Sequence, residues 1–185
     1  MVLERDQVAL DFIEKFRIVT SKQVSDIAYH NIDIANRRLR IMTQNRLLHR
    51  IYNPIGMGYI YSTKQIRTVK QLRHTLLRNE FHFKLLEMGC EIIEVDVEPI
   101  YGSVRPDAIY VVNYKGKRYG FLLEVEISNR VINTEKYNNW FLQEYKQYLK
   151  VPIPVVYITR KPVKRANYPY NRIEISLKDI ENIFR

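Results

Sequence analysis

Three carboxylates lie near the ends of two successive strand-like segments. Asp107 precedes the segment AIYVVNY, and Glu124 and Glu126 alternate at the end of FLLEVE. Clustered carboxylates bind hard divalent ions such as magnesium or manganese, which activate water and offset the charge on a phosphate. The pattern therefore indicates metal-assisted cleavage of a phosphodiester, with Asp107 and Glu124 as the metal ligands.

The two-residue connection Lys115-Gly116 predicts how these strands pair. It places Tyr114 opposite Lys117, and pairing outward from the turn brings Asp107 opposite Glu124. Because side chains alternate along a strand, Glu126 shares the face of these two acids. The other face of the hairpin is apolar from Ala108 to Ile127, and we expect that face to be the core.

Two residues outside the hairpin could complete the site. Lys136 falls on the next predicted helix, which should pack beside the hairpin, and Glu80 on the preceding helix could add a carboxylate. The alternative is a fold without catalytic activity, whose acids are surface residues or bind a structural ion. The candidate catalytic set is Asp107, Glu124, Glu126 and Lys136.

Positive charge is concentrated in the N-terminal part of the chain. The net charge is +10, and between Ile34 and Asn79 there are ten Lys or Arg residues and no acid. A polyanion is the natural partner of such a segment, although a solvated basic surface is the alternative. The chain has no apolar run long enough for a membrane span and only one cysteine, Cys90, which predicts a cytoplasmic protein with a buried, inert thiol.

The elements of this basic region indicate a winged helix-turn-helix. Val8, Phe12, Ile13 and Phe16 are spaced as one face of a first helix. Thr20 and Gln23 form a capping box for a second helix. Asp33 should cap a third helix that buries Ala35, Leu39 and Met42 and ends at a left-handed Asn45. Two short strands, 47–52 and 59–61, then form the wing.

A helix of this kind fits the major groove of DNA, where Arg meets guanine edges or phosphates. The predicted groove contacts are Asn36, Arg37, Arg40 and Gln44, and the predicted phosphate contacts are Arg46, Arg50 and Lys64. The alternative is a three-helix core that contacts only protein. No cofactor is required for this mode of DNA binding.

The rest of the chain predicts a helical connector and an α/β domain. Ser62 should cap a helix starting near Gln65, and Gly89 should end the helical pattern. A strand at 90–98, the hairpin, a helix at 134–149 and a strand in VPIPVVYITR follow, with a β-α-β crossover. The basic and tyrosine-containing segment 160–172 could follow a nucleic-acid backbone or form a solvated loop.

Two resemblances to known families join these parts. Pro106-Asp107 with Glu124-Val125-Glu126 resembles the motif of the PD-(D/E)XK restriction-endonuclease-like superfamily, although Glu126 replaces the lysine of that motif. The segments VRPDAIYVV, FLLEVEIS and EKYNNW, with the order of domains, resemble the replication-relaxation family of plasmid and mobile-element proteins. This resemblance implies DNA binding during plasmid replication, relaxation or conjugative transfer.

The expected architecture is α/β (α+β overall), with a winged helix-turn-helix at 1–64, a connector at 65–89 and a restriction-endonuclease-like domain at 90–185. The first hypothesis is a protein that binds double-stranded DNA, with a replication or transfer protein as a further partner, a homodimer left open, and no membrane. The second is a magnesium- or manganese-dependent endonuclease or nickase. Cleavage of supercoiled DNA that is abolished by Asp107→Ala would separate them.

Overall fold

A computed structural model of the chain describes residues 3–66, 69–127, 135–159 and 171–184. Its helices and strands form the mixed α/β fold that the sequence predicts. The chain divides into two compact units, Met1–Glu80 and Phe81–Arg185, and the division falls inside the segment 65–89 that we assigned to the connector. Across the described ranges, every helix is too short or too polar to cross a membrane.

The N-terminal unit has three helices and a small sheet. Its elements are α1 (Glu4–Phe16), β1 (Val19–Thr20), α2 (Ser21–Val24) with a π-helical turn (Ser25–Tyr29), α3 (Ile32–Gln44), β2 (His49–Tyr52) and β3 (Tyr59–Ser62). The strands are antiparallel in the order β1-β3-β2. This order of three helices and a hairpin is that of a winged helix, and β1 is an addition to the predicted elements.

The helices bury the predicted stripes with one correction. Phe12, Ile13 and Phe16 of α1 are buried, but Val8 is 44% exposed and Ala9 takes its place in the core. Positions 9, 12, 13 and 16 lie on one face of a helix, and position 8 lies beside that face. In α3 the buried residues are the three that were predicted, Ala35, Leu39 and Met42.

The predicted helix ends are partly right. Thr20 and Gln23 form the expected capping box, in which the Gln23 N–H donates to Thr20 Oγ1 (3.3 Å) and the Thr20 N–H donates to Gln23 Oε1 (3.0 Å). Asn31, and not Asp33, caps α3, because its Oδ1 accepts from the N–H groups of Asp33 and Ile34 at 3.0 Å. The left-handed residue after α3 is Arg46 (φ 61°), one position beyond Asn45.

Helix α4 (Val69–Glu87) crosses the division between the units. The predicted cap was wrong, since Ser62 is buried in β3 and its Oγ accepts from the Lys64 N–H at 3.2 Å. The predicted end is confirmed, because Gly89 has φ +80° and the Cys90 N–H donates to the Leu85 carbonyl at 3.0 Å. Cys90 is buried, as expected, and burial raises the pKa of its thiol.

The second unit contains a five-stranded mixed sheet. Its strands are β4 (Glu91–Val97), β5 (Ala108–Tyr114), β6 (Lys117–Glu126), β7 (Val155–Thr159) and β8 (Arg172–Ile175), paired in that order. The first two pairings are antiparallel and the last two are parallel. Helix α5 (Glu135–Gln143) connects β6 to its parallel neighbour β7, which is the predicted crossover.

Both faces of the central strands of this sheet, β5 to β7, are buried, whereas we expected a core on one face alone. On the expected face, Phe81 of α4 packs edge-on against Tyr110 and Phe121, with ring centroids 5.5 and 5.9 Å apart. On the opposite face, a second core contains Ile109, Leu122 and the single tryptophan, Trp140, which is fully buried. Helix α5 covers this second face, which is the face that carries the carboxylates.

Most of the predicted basic segment 160–172 lies outside the described residues. The structure describes only Asn171 and Arg172 of this segment. Arg172 begins β8, a strand that was not predicted, and its side chain pairs with Glu174 and lies over the ring of Tyr157 at 5.2 Å. This arginine therefore has a structural role in the sheet. The segment after β8 contains a short 3-10 helix (Ile180–Phe184).

Candidate functional site

The predicted DNA contacts all lie on the surface of the N-terminal unit. On α3, the buried stripe turns the opposite side of the helix outward, and Asn36, Arg37, Arg40 and Gln44 are exposed there. The three predicted phosphate contacts, Arg46, Arg50 and Lys64, are exposed as well. The fold thus presents the seven side chains to solvent, where a duplex could reach them.

Arg38 is the exception among the arginines of α3, because its side chain is held inside the unit. It is 16% exposed and forms an ion pair with the fully buried Asp6 of α1. The Asp6 carboxylate also accepts from Tyr29 Oη at 2.6 Å and from the Leu3 N–H at 2.8 Å. This network joins α3 to α1 and to the π-helical turn, and so sets the orientation of the exposed face of α3.

Burial of Asp6 acts against its ionised form, but the hydrogen bonds that it accepts outweigh that effect. Donation by Arg38, by the Leu3 N–H and by Tyr29 lowers the pKa of the Asp6 carboxyl from 3.8 to about 2. Burial and the adjacent Asp6 charge raise the pKa of the Tyr29 hydroxyl in turn. Asp6 is therefore ionised at neutral pH and compensates the charge of Arg38.

The wing, formed by β2, β3 and the loop 53–58 between them, carries aromatic side chains beside its arginine. The Arg50 guanidinium lies 4.6 Å from the ring centroid of Tyr59, and Tyr59 meets Tyr52 edge-on at 5.9 Å. Stacking on an aromatic ring holds a guanidinium in one place while its N–H groups stay open to solvent. The contact with Tyr59 thus holds the exposed Arg50 on the surface of the wing.

The hairpin of the second unit has the predicted register. Tyr114 pairs with Lys117 and Ala108 with Leu123, which continues to place Asp107 opposite Glu124. The Asp107 N–H donates to the Leu123 carbonyl at 2.9 Å, and Asp107 Oδ2 accepts from the Val125 N–H at 2.7 Å. One carboxylate oxygen of Asp107 is therefore fixed by the backbone of the neighbouring strand.

Glu124 is the most enclosed of the candidate acids. Its side chain is 15% exposed, and Oε1 accepts from Lys136 Nζ at 2.8 Å and from the hydroxyl of Tyr137 in a short hydrogen bond. Burial, and then the charge of Asp107, raise the pKa of the Glu124 carboxyl, and the contacts with Lys136 and Tyr137 act in the opposite direction. Asp107, Glu124 and Lys136 thus form one electrostatic group.

The structure does not assemble the three predicted carboxylates into one ligand set. The described ranges contain no group of three or more His, Cys, Asp or Glu residues that could hold a metal ion. Glu126 is half-buried at the end of β6, and Glu80 is exposed and ends the N-terminal unit. Among the candidate acids, the charge of Asp107 acts on Glu124, as described above.

Sequence reasoning missed the roles of four residues of these sites. Asp6, Tyr29 and Arg38 lie far apart along the chain, and nothing in their spacing shows that they meet. Tyr137 was assigned to the core, and it is fully buried there, but its hydroxyl also bonds to Glu124. The helical position next to Lys136 was the available indication that both residues approach the same strand.

Comparison of the chain with protein-family models, with curated proteins and with solved structures gave no match.

Proposed function

We propose that this protein binds double-stranded DNA, with α3 in the major groove and the wing beside it. The observation that carries the proposal is the outward face of α3, where Arg37 and Arg40 are exposed while Arg38, between them, is neutralised by Asp6. Arg38 thus holds the helix in place, and Arg37 and Arg40 remain exposed for a partner. Asn36 and Gln44 on the same face supply the amide groups that pair with adenine edges.

The charge of the surrounding surface supports an anionic partner. Arg46 lies between α3 and the wing, Arg50 lies in the wing, and Lys64 lies after it. No acid occurs between Ile34 and Asn79. Exposed arginines without an acidic neighbour would contribute little binding free energy to a surface that only packed against protein. Phosphate contacts by these three residues would set the register of α3 on the duplex, and the α3 side chains would read the bases.

The biological setting is the part of the proposal that depends on the resemblance to the replication-relaxation family. It is a role in the replication, relaxation or transfer of a plasmid or mobile element, or in its regulation, with a replication or transfer protein as a partner. Selecting fragments from random duplex DNA with the purified protein, and sequencing them, tests both parts. A recurring motif supports sequence-specific binding, and recovery of no DNA above background at low salt contradicts the whole proposal.

A second candidate function is a metal-dependent endonuclease or nickase. The observation that favours it is the joint approach of Asp107 and Lys136 to Glu124. Magnesium in phosphoryl-transfer sites is commonly bound by one or two carboxylates, with water and phosphate oxygens completing the shell, so Asp107 and Glu124 fit as its ligands. A magnesium or manganese ion there would activate water and offset phosphate charge.

The chain's own residues would divide the remaining work. The Val125 N–H orients Asp107, Tyr137 orients Glu124, and Lys136 of α5 offers a positive charge beside Glu124. Incubation with supercoiled plasmid and magnesium or manganese tests this function. Nicking that is lost in chelator and in Asp107→Ala supports it, and intact plasmid with a protein that still binds DNA contradicts it.

A further inference from the structure

The tip of the wing exposes apolar side chains that the DNA-binding face of α3 does not account for. Met57 is 95% exposed, Ile55 is 46% exposed, and Tyr52, at the end of β2, is 66% exposed. Each of these side chains would gain from leaving water, at roughly 25 cal/mol for every Å² of apolar surface buried. The unit therefore carries an apolar projection without a partner of its own.

The backbone of the tip is ordered by the chain itself. Asn53 is buried, its N–H donates to the Gly58 carbonyl at 2.9 Å, and its Oδ1 accepts from the Ile55 N–H at 3.1 Å. A Cβ atom at Gly56 would come within 2.9 Å of Nδ2 of the Asn53 side chain, so a larger residue here would displace that side chain. The turn holds its shape around Asn53 and leaves Met57 outside.

The charge around the tip indicates what covers it. Arg50, which pairs across the hairpin with Tyr61, lies on the ring of Tyr59 close to the tip, and no acid occurs between Ile34 and Asn79. An apolar partner protein would have to bury this cation, whereas a nucleic acid presents phosphates to it. The interior of a base stack is the apolar surface that lies directly beside phosphates.

We propose that the wing tip inserts Met57 between two base pairs from the minor groove next to α3 and kinks the duplex there. This proposal rests on the proposed DNA binding and adds a wedge to it. Apolar side chains that enter a base step in this way partly unstack it and bend the helix, and pyrimidine–purine steps yield most easily. Arg50 would hold a phosphate beside the opened step.

The test uses the full-length protein and a mixed-sequence duplex with regularly spaced TpA steps and a dye at each end. Energy transfer between the dyes reports bending, and permanganate oxidation reports unstacked thymines wherever the protein is bound. The unaltered protein should raise both signals. Met57→Ala should lose most of both while the duplex stays bound, and Met57→Leu, which keeps an apolar wedge, should retain them.

Leu142→Ala is the matched control, because Leu142 is 70% exposed in the other unit and its replacement should change neither signal. Binding without bending or thymine oxidation overturns the wedge and leaves the proposed function standing. No binding by the unaltered protein at low salt overturns the proposed function itself. Bending that is unaltered in Met57→Ala, together with a loss of self-association in sedimentation, would instead assign the tip to a contact between two copies of the chain.

Discussion

The fully buried Asp6 and the partly exposed Arg38 form an ion pair between the first and third helices of the N-terminal unit, and Tyr29 donates to the same carboxylate. Removing Asp6 takes away the acceptor of the Tyr29 hydroxyl and of the partly buried Arg38, which costs about 1–3 kcal/mol. We therefore expect Asp6→Ala to lower the free energy of unfolding by that order in urea titration. Asp11→Ala is the control, because Asp11 is exposed on the same helix and its loss should cost less than about 1 kcal/mol.

The same pair predicts how stability depends on pH. Folding lowers the pKa of Asp6 from 3.8 to about 2, so its contribution is complete above pH 3.8 and is lost as the pH falls towards 2. The shift corresponds to about 2 kcal/mol. Unfolding free energies of the unaltered protein and of Asp6→Asn, measured from pH 5 downward, should converge across this window. A constant difference between the two proteins would contradict the assignment.

Replacing Arg37 and Arg40 together by Ala should weaken duplex binding and make it less dependent on salt. An arginine of α3 that meets a phosphate as well as a base edge adds about −0.9 to the slope of log affinity against log salt, so the double variant should lose at most about 1.8 of that slope. Fluorescence anisotropy with a labelled duplex gives the slope directly. The control with the same charge change is Lys146→Ala with Lys150→Ala, which are exposed in the second unit. Equal slopes for the two double variants would contradict the placement of α3 on DNA.

Magnesium binding can be measured apart from cleavage. If Asp107 and Glu124 hold the ion, magnesium should raise the melting temperature of the unaltered protein, because a ligand that binds only the folded state stabilises it by mass action. Asp107→Asn should remove this rise. Glu126→Gln should keep it, since Glu126 belongs to no three-residue ligand group in the described ranges. A rise that survives in Asp107→Asn would place the ion elsewhere.

Tyr137→Phe tests the support of Glu124. The variant keeps the buried ring and removes only the hydroxyl that donates to Glu124. We expect a loss of about 1–3 kcal/mol, because a buried carboxylate then lacks one of its donors. The pKa of Glu124, followed by carboxyl resonances in labelled protein, should rise further. Tyr145→Phe is the control, since Tyr145 packs on the same core and its hydroxyl should matter less.

The hairpin shows how far sequence reasoning reaches into this site. A two-residue turn at Lys115-Gly116 determines the pairing, so the register that brings Asp107 to Glu124 was predictable from the chain alone. The burial of both faces was not predicted, because Ile109 and Leu122 alternate with acids and give their face a polar appearance. Only the packing of α5 shows that the acids lie at the edge of a second core.

Local rules were less reliable where two neighbouring residues could do the same work. Asn31 and Asp33 are both good helix caps, and Asn45 and Arg46 compete for the left-handed position, so the predictions were off by one or two residues. The pairing of Asp6 with Arg38 had no local indication at all, because it depends on how α1 packs against α3. The exposed face of α3, by contrast, followed from its apolar spacing.

The buried indole of Trp140 makes tryptophan fluorescence a probe of one unit of the molecule alone. It is the one tryptophan of the chain and belongs to the C-terminal unit. Fluorescence excited at wavelengths that only tryptophan absorbs therefore reports on this unit and not on the N-terminal unit. Comparing this emission with far-ultraviolet circular dichroism, to which α1–α3 contribute strongly, would show whether the two halves unfold in one step or in sequence.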